Sequence, residues 1–235
     1  MKKEAFIVSL SLIISIFVLV SSVHAALVTS QASIPSPQSV VTFDNFAPGF
    51  IFGDGPQQVG TPIGEDIVWT TTDPYNESVI GCDSYGLGPN GYWDCGKSGF
   101  TGLDTNSGDM IFTFNSGPVS SVGGFINYMP LESPNAVVSA YDCSNNLLES
   151  YDITVEAPIS TPGAANAGGF RGISRPTADI CQFRVSNQEV VLDDLTFSRQ
   201  TAPAAIPTMT EWGMIIFMVL AGLGSVYYLR RRRPA

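Results

Sequence analysis

The chain has 235 residues, of which 21 are acidic and 11 are basic, so its formal net charge is −10. Residues 26–205 are more acidic still, because they hold 19 of the acids and only 5 of the bases, a formal balance of −14. Such a surface repels nucleic acid and anionic lipid, which excludes both as partners of this segment. At about 180 residues, the segment is long enough for one domain with its own core.

Residues 1–25 have the pattern of a secretory signal peptide. Two lysines precede an apolar run at residues 6–20, which only serines interrupt. Val23 and Ala25 place small residues at positions −3 and −1 of a cleavage site, so we expect cleavage after Ala25. The alternative is an uncleaved membrane anchor.

Residues 40–198 carry the signals of a β-rich domain, between predicted linkers at residues 26–39 and 199–205. Runs rich in β-branched and aromatic residues alternate with Gly, Pro, Asn and Asp, and none has a convincing helical period. A turn at residues 143–147 predicts a hairpin. Together these features predict an all-β fold, an antiparallel two-sheet sandwich. The predicted strands are Val40–Phe46, Asp66–Thr72, Met110–Phe114, Val122–Tyr128, Val137–Cys143, Leu148–Val155, Ile180–Ser186 and Glu189–Phe197.

The four cysteines all lie in the segment expected to be exported, which predicts disulfides. Three pairings are possible. We favour Cys82 with Cys95, which closes a loop, and Cys143 with Cys181, which joins two predicted strands. A zinc site is disfavoured, because the spacings are not CxxC and the mature chain has no histidine.

The only histidine, His24, lies in the predicted signal peptide. A mature chain without histidine cannot run a Ser-His-Asp or Cys-His mechanism. We therefore expect a non-catalytic protein without a cofactor. A secreted glycosidase or lyase that uses carboxylates alone is an alternative, although the sequence picks out no pair of carboxylates facing one cleft.

Asp193 shares its strand parity with Val191, Leu195 and Phe197, which predicts that it lies on the core face. A buried carboxylate needs a cation or several hydrogen bonds. This motivates a structural calcium site that Asp193 would share with Asp44. The alternative is a strand-end aspartate bonded to loop amides.

The segment from residue 73 to residue 103 is unusually aromatic for a loop. Tyr85, Tyr92 and Trp93 could offer flat faces on which an extracellular polysaccharide stacks. The favoured alternative is that these rings form the small core of the loop itself.

The last thirty residues contain a second apolar run. Residues 212–229 carry no charge and, at about 1.5 Å per residue, would just cross a bilayer as a transmembrane helix. The arginines that follow predict that this end stays cytoplasmic, as a stop-transfer signal. They are Arg230, Arg231, Arg232 and Arg233.

The C-terminal segment, residues 206–235, resembles the IPTL-CTERM sorting domain, a variant of the PEP-CTERM class of bacterial surface proteins. An apolar helix and an arginine cluster follow its motif, although Met209 stands where the family usually has Leu. The motif residues are Ile206, Pro207, Thr208, Met209, Glu211, Trp212 and Gly213.

This resemblance implies processing by an exosortase, an integral-membrane enzyme that would recognise residues 206–209. The precursor would be anchored in the inner membrane with its β domain outside the cytoplasm. The processed protein would then reach the cell envelope or cell surface. A looser likeness to the jelly-roll domains of such proteins concerns the pattern of strands and identifies no ligand.

Overall fold

In a computed structural model of the chain, the described residues are 25–97, 99–105, 107–130, 133–200 and the helical residues 209–231. Residues 1–24 of the predicted signal peptide therefore lie outside the described part. The chain divides into two units. One is a β domain and the other includes the C-terminal helix.

The described residues form sixteen strands and one α-helix. Their bounds are β1 Ala26–Val28, β2 Ser39–Val41, β3 Gly49–Phe52, β4 Gln57–Gln58, β5 Ile67–Thr71, β6 Val79–Cys82, β7 Tyr85–Gly86, β8 Tyr92–Trp93, β9 Phe100–Leu103, β10 Asp109–Phe114, β11 Ser121–Tyr128, β12 Val137–Tyr141, β13 Leu147–Asp152, β14 Gly169–Ser174, β15 Gln182–Ser186, β16 Val190–Ser198 and α1 Met209–Arg231.

Two antiparallel sheets build the β domain, as predicted. The larger has eight strands in the order β1-β14-β11-β16-β9-β6-β3, with β2 also paired to β16. The smaller has six strands in the order β13-β12-β15-β10-β5-β4, and β7 and β8 form a separate two-stranded ribbon. The predicted hairpin is confirmed, because β12 and β13 pair directly around the turn at residues 143–147.

The main core contains inward-facing side chains from both sheets. Trp69, Phe112 and Phe183 come from the smaller sheet, whereas Val122 and Leu192 come from the larger. All five are at most 1% exposed. Along β10 and β15 buried residues alternate with half-buried ones, as expected for strands with one face in the core and one toward water.

The predicted linker at residues 26–39 is part of the fold. Its first residues form β1, which pairs with β14 at the edge of the larger sheet. Ile34 is also buried and packs in a small cluster with Val28 and Phe170. The domain therefore begins near residue 25 rather than at residue 40. The linker prediction relied on the Ser, Pro and Gln content of the segment and overlooked its few buried apolar residues.

A β-bulge in β16 makes the predicted parity of that strand wrong. Gly123 pairs with Thr196 but Phe125 pairs with Asp193, so β16 contains one more residue than β11 between these two pairs. Asp194 lies at the bulge with a φ of 50°. An inserted residue reverses the alternation of faces for everything beyond it.

The bulge places the two halves of β16 in different environments. Leu195 and Phe197 enter the main core, as does Leu192 before the bulge. Val191 instead packs into a second cluster, and Asp193 shares its parity. Asp193 is therefore buried, as predicted, but on the outer face of the larger sheet and not between the sheets.

Candidate functional site

The aromatic segment at residues 73–103 builds its own small core against the outer face of the larger sheet. We call this core the outer cluster; Phe50 and Phe125 pack on it from the side. Its rings meet edge to face, as in the contact between Trp93 and Phe100 with centroids 5.6 Å apart. Its buried members are Val79, Tyr85, Leu87, Trp93, Phe100 and Val191.

Two of the three side chains predicted to bind polysaccharide are buried in this cluster. Trp93 is 0% exposed, and its indole N–H donates to the Ala167 carbonyl at 2.7 Å. Tyr85 is 7% exposed, its hydroxyl donates to the Leu103 carbonyl, and burial raises the pKa of this hydroxyl well above its usual value. Only Tyr92 is exposed, at 43%. The stacking prediction is therefore wrong for Tyr85 and Trp93, and the rings form the core of the loop.

Both disulfides pair as the sequence favoured. Cys82 at the end of β6 is bonded to Cys95 and closes the aromatic loop. Cys143 is bonded to Cys181 and joins the turn after β12 to the residue before β15. The described part of the chain has no free cysteine.

The loop carries Lys97 to the outer face of β16. Its Nζ lies 3.5 Å from Oδ2 of Asp193 and 3.5 Å from Oδ2 of Asp194. The same nitrogen lies 4.9 Å from the ring centroid of Phe125 and 5.9 Å from that of Trp93. No motif or spacing in the sequence indicates that Lys97 contacts these aspartates, which are remote from it along the chain.

Asp44 and Asp193, the two residues predicted to share a calcium ion, each have a protein partner. Asp44 accepts a hydrogen bond from the Gly99 amide at 3.0 Å, and Asp193 faces Lys97. Among the described residues there is no group of three or more His, Cys, Asp or Glu side chains that could hold a metal ion.

A groove of about 570 Å³ lies at one side of the β domain. Its described lining holds no charged side chain, and its polar groups include Asn135, Thr154 and Ser160. Asn90 connects two segments that line the groove, because its side-chain amide donates hydrogen bonds to the carbonyls of Tyr128 and Ile159. These residues come from separate loops, so no single sequence motif indicated the groove. Its lining also includes Pro89, Pro130, Pro158, Pro162 and Gln188.

Of the predicted sorting motif, Met209, Glu211, Trp212 and Gly213 lie in the first residues of α1. Ile206, Pro207 and Thr208 are outside the described residues, as are Arg232 and Arg233. The helix runs from Met209 to Arg231, so it includes the predicted segment at residues 212–229. Over the described residues, no helix combines the length and the apolar character that a membrane crossing requires.

Comparison with known proteins gives few matches for the β domain. No curated protein matches the chain. Among five matching solved structures, the K2 cleaved adhesin domain of Lys-gingipain is 12% identical, with a TM-score of 0.41 over 71% of this chain and 100% of that one. The module CsCBM6-3 from Clostridium stercorarium, solved with cellobiose, is 14% identical, with a TM-score of 0.29 over 65% of this chain and 94% of that one. Likeness at this level supports no argument about function.

The C-terminal segment gives a specific match. Residues 204–233 match the family model of the IPTL-CTERM motif, which covers the predicted recognition residues, the helix and the arginines. This match agrees with the resemblance found in the sequence. The chain therefore ends in an IPTL-CTERM motif.

Proposed function

We propose that this protein is a non-catalytic bacterial surface protein, exported and then sorted by an exosortase through its C-terminal segment. The observation that carries the proposal is the IPTL-CTERM motif at residues 204–233. Two disulfides in the β domain support an oxidising compartment outside the cytoplasm. The β domain would then be the displayed part, with an adhesive or matrix role.

The proposed route includes a membrane-anchored precursor. Residues 212–229 are uncharged and four arginines follow them, an order that supports a stop-transfer anchor with its end in the cytoplasm. Processing near residues 206–209 would separate the β domain from the helix and the arginines. The helix would then serve sorting alone and would be absent from the displayed protein.

A motif variant tests this route in cells. Changing Ile206, Pro207 and Thr208 together to alanine should leave the helix attached and keep the protein in the inner-membrane fraction. Pro203→Ala, one residue before the matched segment, is the control and should behave like the wild type. Fractionation and surface labelling would measure both. Surface display of the triple variant at the wild-type level would contradict the proposal.

Binding of a neutral polysaccharide is a second candidate function. The observation that favours it is the groove, since hydroxyl, amide and proline surfaces without charge suit an uncharged sugar chain. Retention of the purified protein on neutral polysaccharide columns, lost in Asn135→Trp but kept in Trp93→Phe, would support this candidate. Turnover of the polysaccharide would instead favour the glycosidase or lyase alternative.

A further inference from the structure

Lys97 is the only lysine of the chain outside the predicted signal peptide. Its amine does not extend into water but faces Asp193 and Asp194 across the surface of β16. Only 26% of the Lys97 side chain is exposed. The acidic β domain thus has a single lysine, and it places the amine of that lysine against a buried carboxyl. In this arrangement the two groups could react with each other.

The surroundings of this contact are apolar. Asp193 is 2% exposed, and the rings of Phe125 and Trp93 lie over the Lys97 amine. Burial, followed by the charge of the neighbouring Asp194, raises the pKa of Asp193 to about 7. The carboxyl therefore keeps its proton at pH values where an ordinary aspartate has lost it. A carboxyl that keeps its proton is the form of the acid that condensation with an amine requires.

We propose that Lys97 and Asp193 join in an intramolecular amide bond. Nζ attacks Cγ of Asp193, so an N–C bond forms and the bond from Cγ to Oδ2 breaks. Two protons from the nitrogen and the carboxyl leave with Oδ2 as one water molecule. The condensation is redox-neutral and consumes no other reactant.

The bulge in β16 supplies the two remaining groups that this reaction needs. The backbone N–H of Asp194 donates to Oδ1 of Asp193 at 2.6 Å, where it would stabilise the negative charge that develops on that oxygen during attack. The Asp194 carboxylate, 3.5 Å from Nζ, can accept a proton from the nitrogen and deliver it to the departing Oδ2. The positive φ of Asp194 holds both groups beside Asp193.

The bond would join the aromatic loop to β16, the last strand of the β domain. The Cys82–Cys95 disulfide already closes this loop two residues before Lys97. A reductant can break the disulfide, but it cannot break an amide bond. The outer cluster would therefore stay covered even if a reductant broke that disulfide.

Intact-mass measurement of the purified exported protein, reduced and alkylated, tests the bond directly. The expected mass is lower than that of the linear sequence by one water molecule. After proteolysis, the fragment that contains Lys97 and the fragment that contains Asp193 should stay joined even though every disulfide has been reduced. An amine-reactive reagent applied after denaturation should leave Lys97 unlabelled. A wild-type mass without the water loss, together with labelled Lys97, would overturn the proposal.

Two variants exclude other sources of the missing water. Lys97→Arg keeps the positive charge but lacks the amine, so its mass should equal that of its linear sequence. If it still lacks one water, the loss arises elsewhere, for example by cyclisation of an aspartate, and the proposal fails. Asp194→Asn should slow bond formation by roughly 100-fold or more, the scale of general acid–base assistance. The bond lies within the β domain, so this result is independent of whether an exosortase processes the tail.

Discussion

Replacing Trp93 with alanine should lower the free energy of unfolding of the β domain by about 3–5 kcal/mol, the range for truncating a large buried aromatic side chain. Trp93 is completely buried in the outer cluster and donates a hydrogen bond to Ala167. Its loss removes the ring contact with Phe100 and leaves the Ala167 carbonyl without that donor. Urea or thermal unfolding of the purified domain would measure the change.

Tyr92 is the matched control for Trp93. It is the adjacent residue in the same short strand, but its side chain is 43% exposed. Tyr92→Ala should change the unfolding free energy by less than about 1 kcal/mol, as most surface substitutions do. Equal stability of the Trp93 and Tyr92 variants would contradict the assignment of Trp93 to a core.

Removing the Cys143–Cys181 disulfide should be the second large destabilisation. A loop closed across a sequence separation of 38 residues restricts the unfolded chain, and the chain-entropy model assigns this about 4 kcal/mol. The double variant Cys143→Ala, Cys181→Ala avoids an unpaired thiol. Its unfolding midpoint in urea should fall well below that of the wild type without loss of the β-sheet circular dichroism signal.

The other disulfide provides an internal comparison. Cys82 and Cys95 are 13 residues apart, so the same model assigns this bond about 3 kcal/mol. A larger loss for Cys82→Ala, Cys95→Ala than for the other pair would contradict this ranking.

The sequence predicted the strands that have long alternating runs. β10, β11, β12, β15 and β16 all lie within one or two residues of their predicted bounds, since period-two alternation over five or more residues is specific to strands. The short strands between residues 49 and 103 were not predicted. Apart from β5, these strands are two to four residues long, which is too short to show a period-two alternation of apolar and polar residues. Pairing with neighbouring chain segments holds them in place.

The parity of β16 shows why a correct strand can still give a wrong face. Its alternation predicted Asp193 beside Leu195, but the bulge at Asp194 places them on opposite sides of the sheet. Aspartate can adopt a positive φ within a strand. Nothing in the local sequence, however, distinguishes Asp194 from Asp193 as the residue that does so. Register with β11 determines the bulge, and that information is not local in the sequence.

The candidate site was predictable only in part. The aromatic loop and its disulfide were evident, whereas the burial of Trp93 and exposure of Tyr92 depend on how the loop folds onto β16. The contact of Lys97 with Asp193 joins residues nearly a hundred positions apart. One signal in the sequence pointed to Lys97, because the exported segment has no other lysine.

If the IPTL-CTERM segment is a processed sorting signal, as we propose, the mature protein should end near that segment, and the mass of its C-terminus is the decisive measurement. The protein would be isolated from cells with and without the exosortase, and its C-terminal peptide identified by mass spectrometry. Our account predicts a terminus near residues 206–209 only when the enzyme is present. An intact terminus at Ala235 in both strains would contradict it and would indicate a permanently attached C-terminal segment.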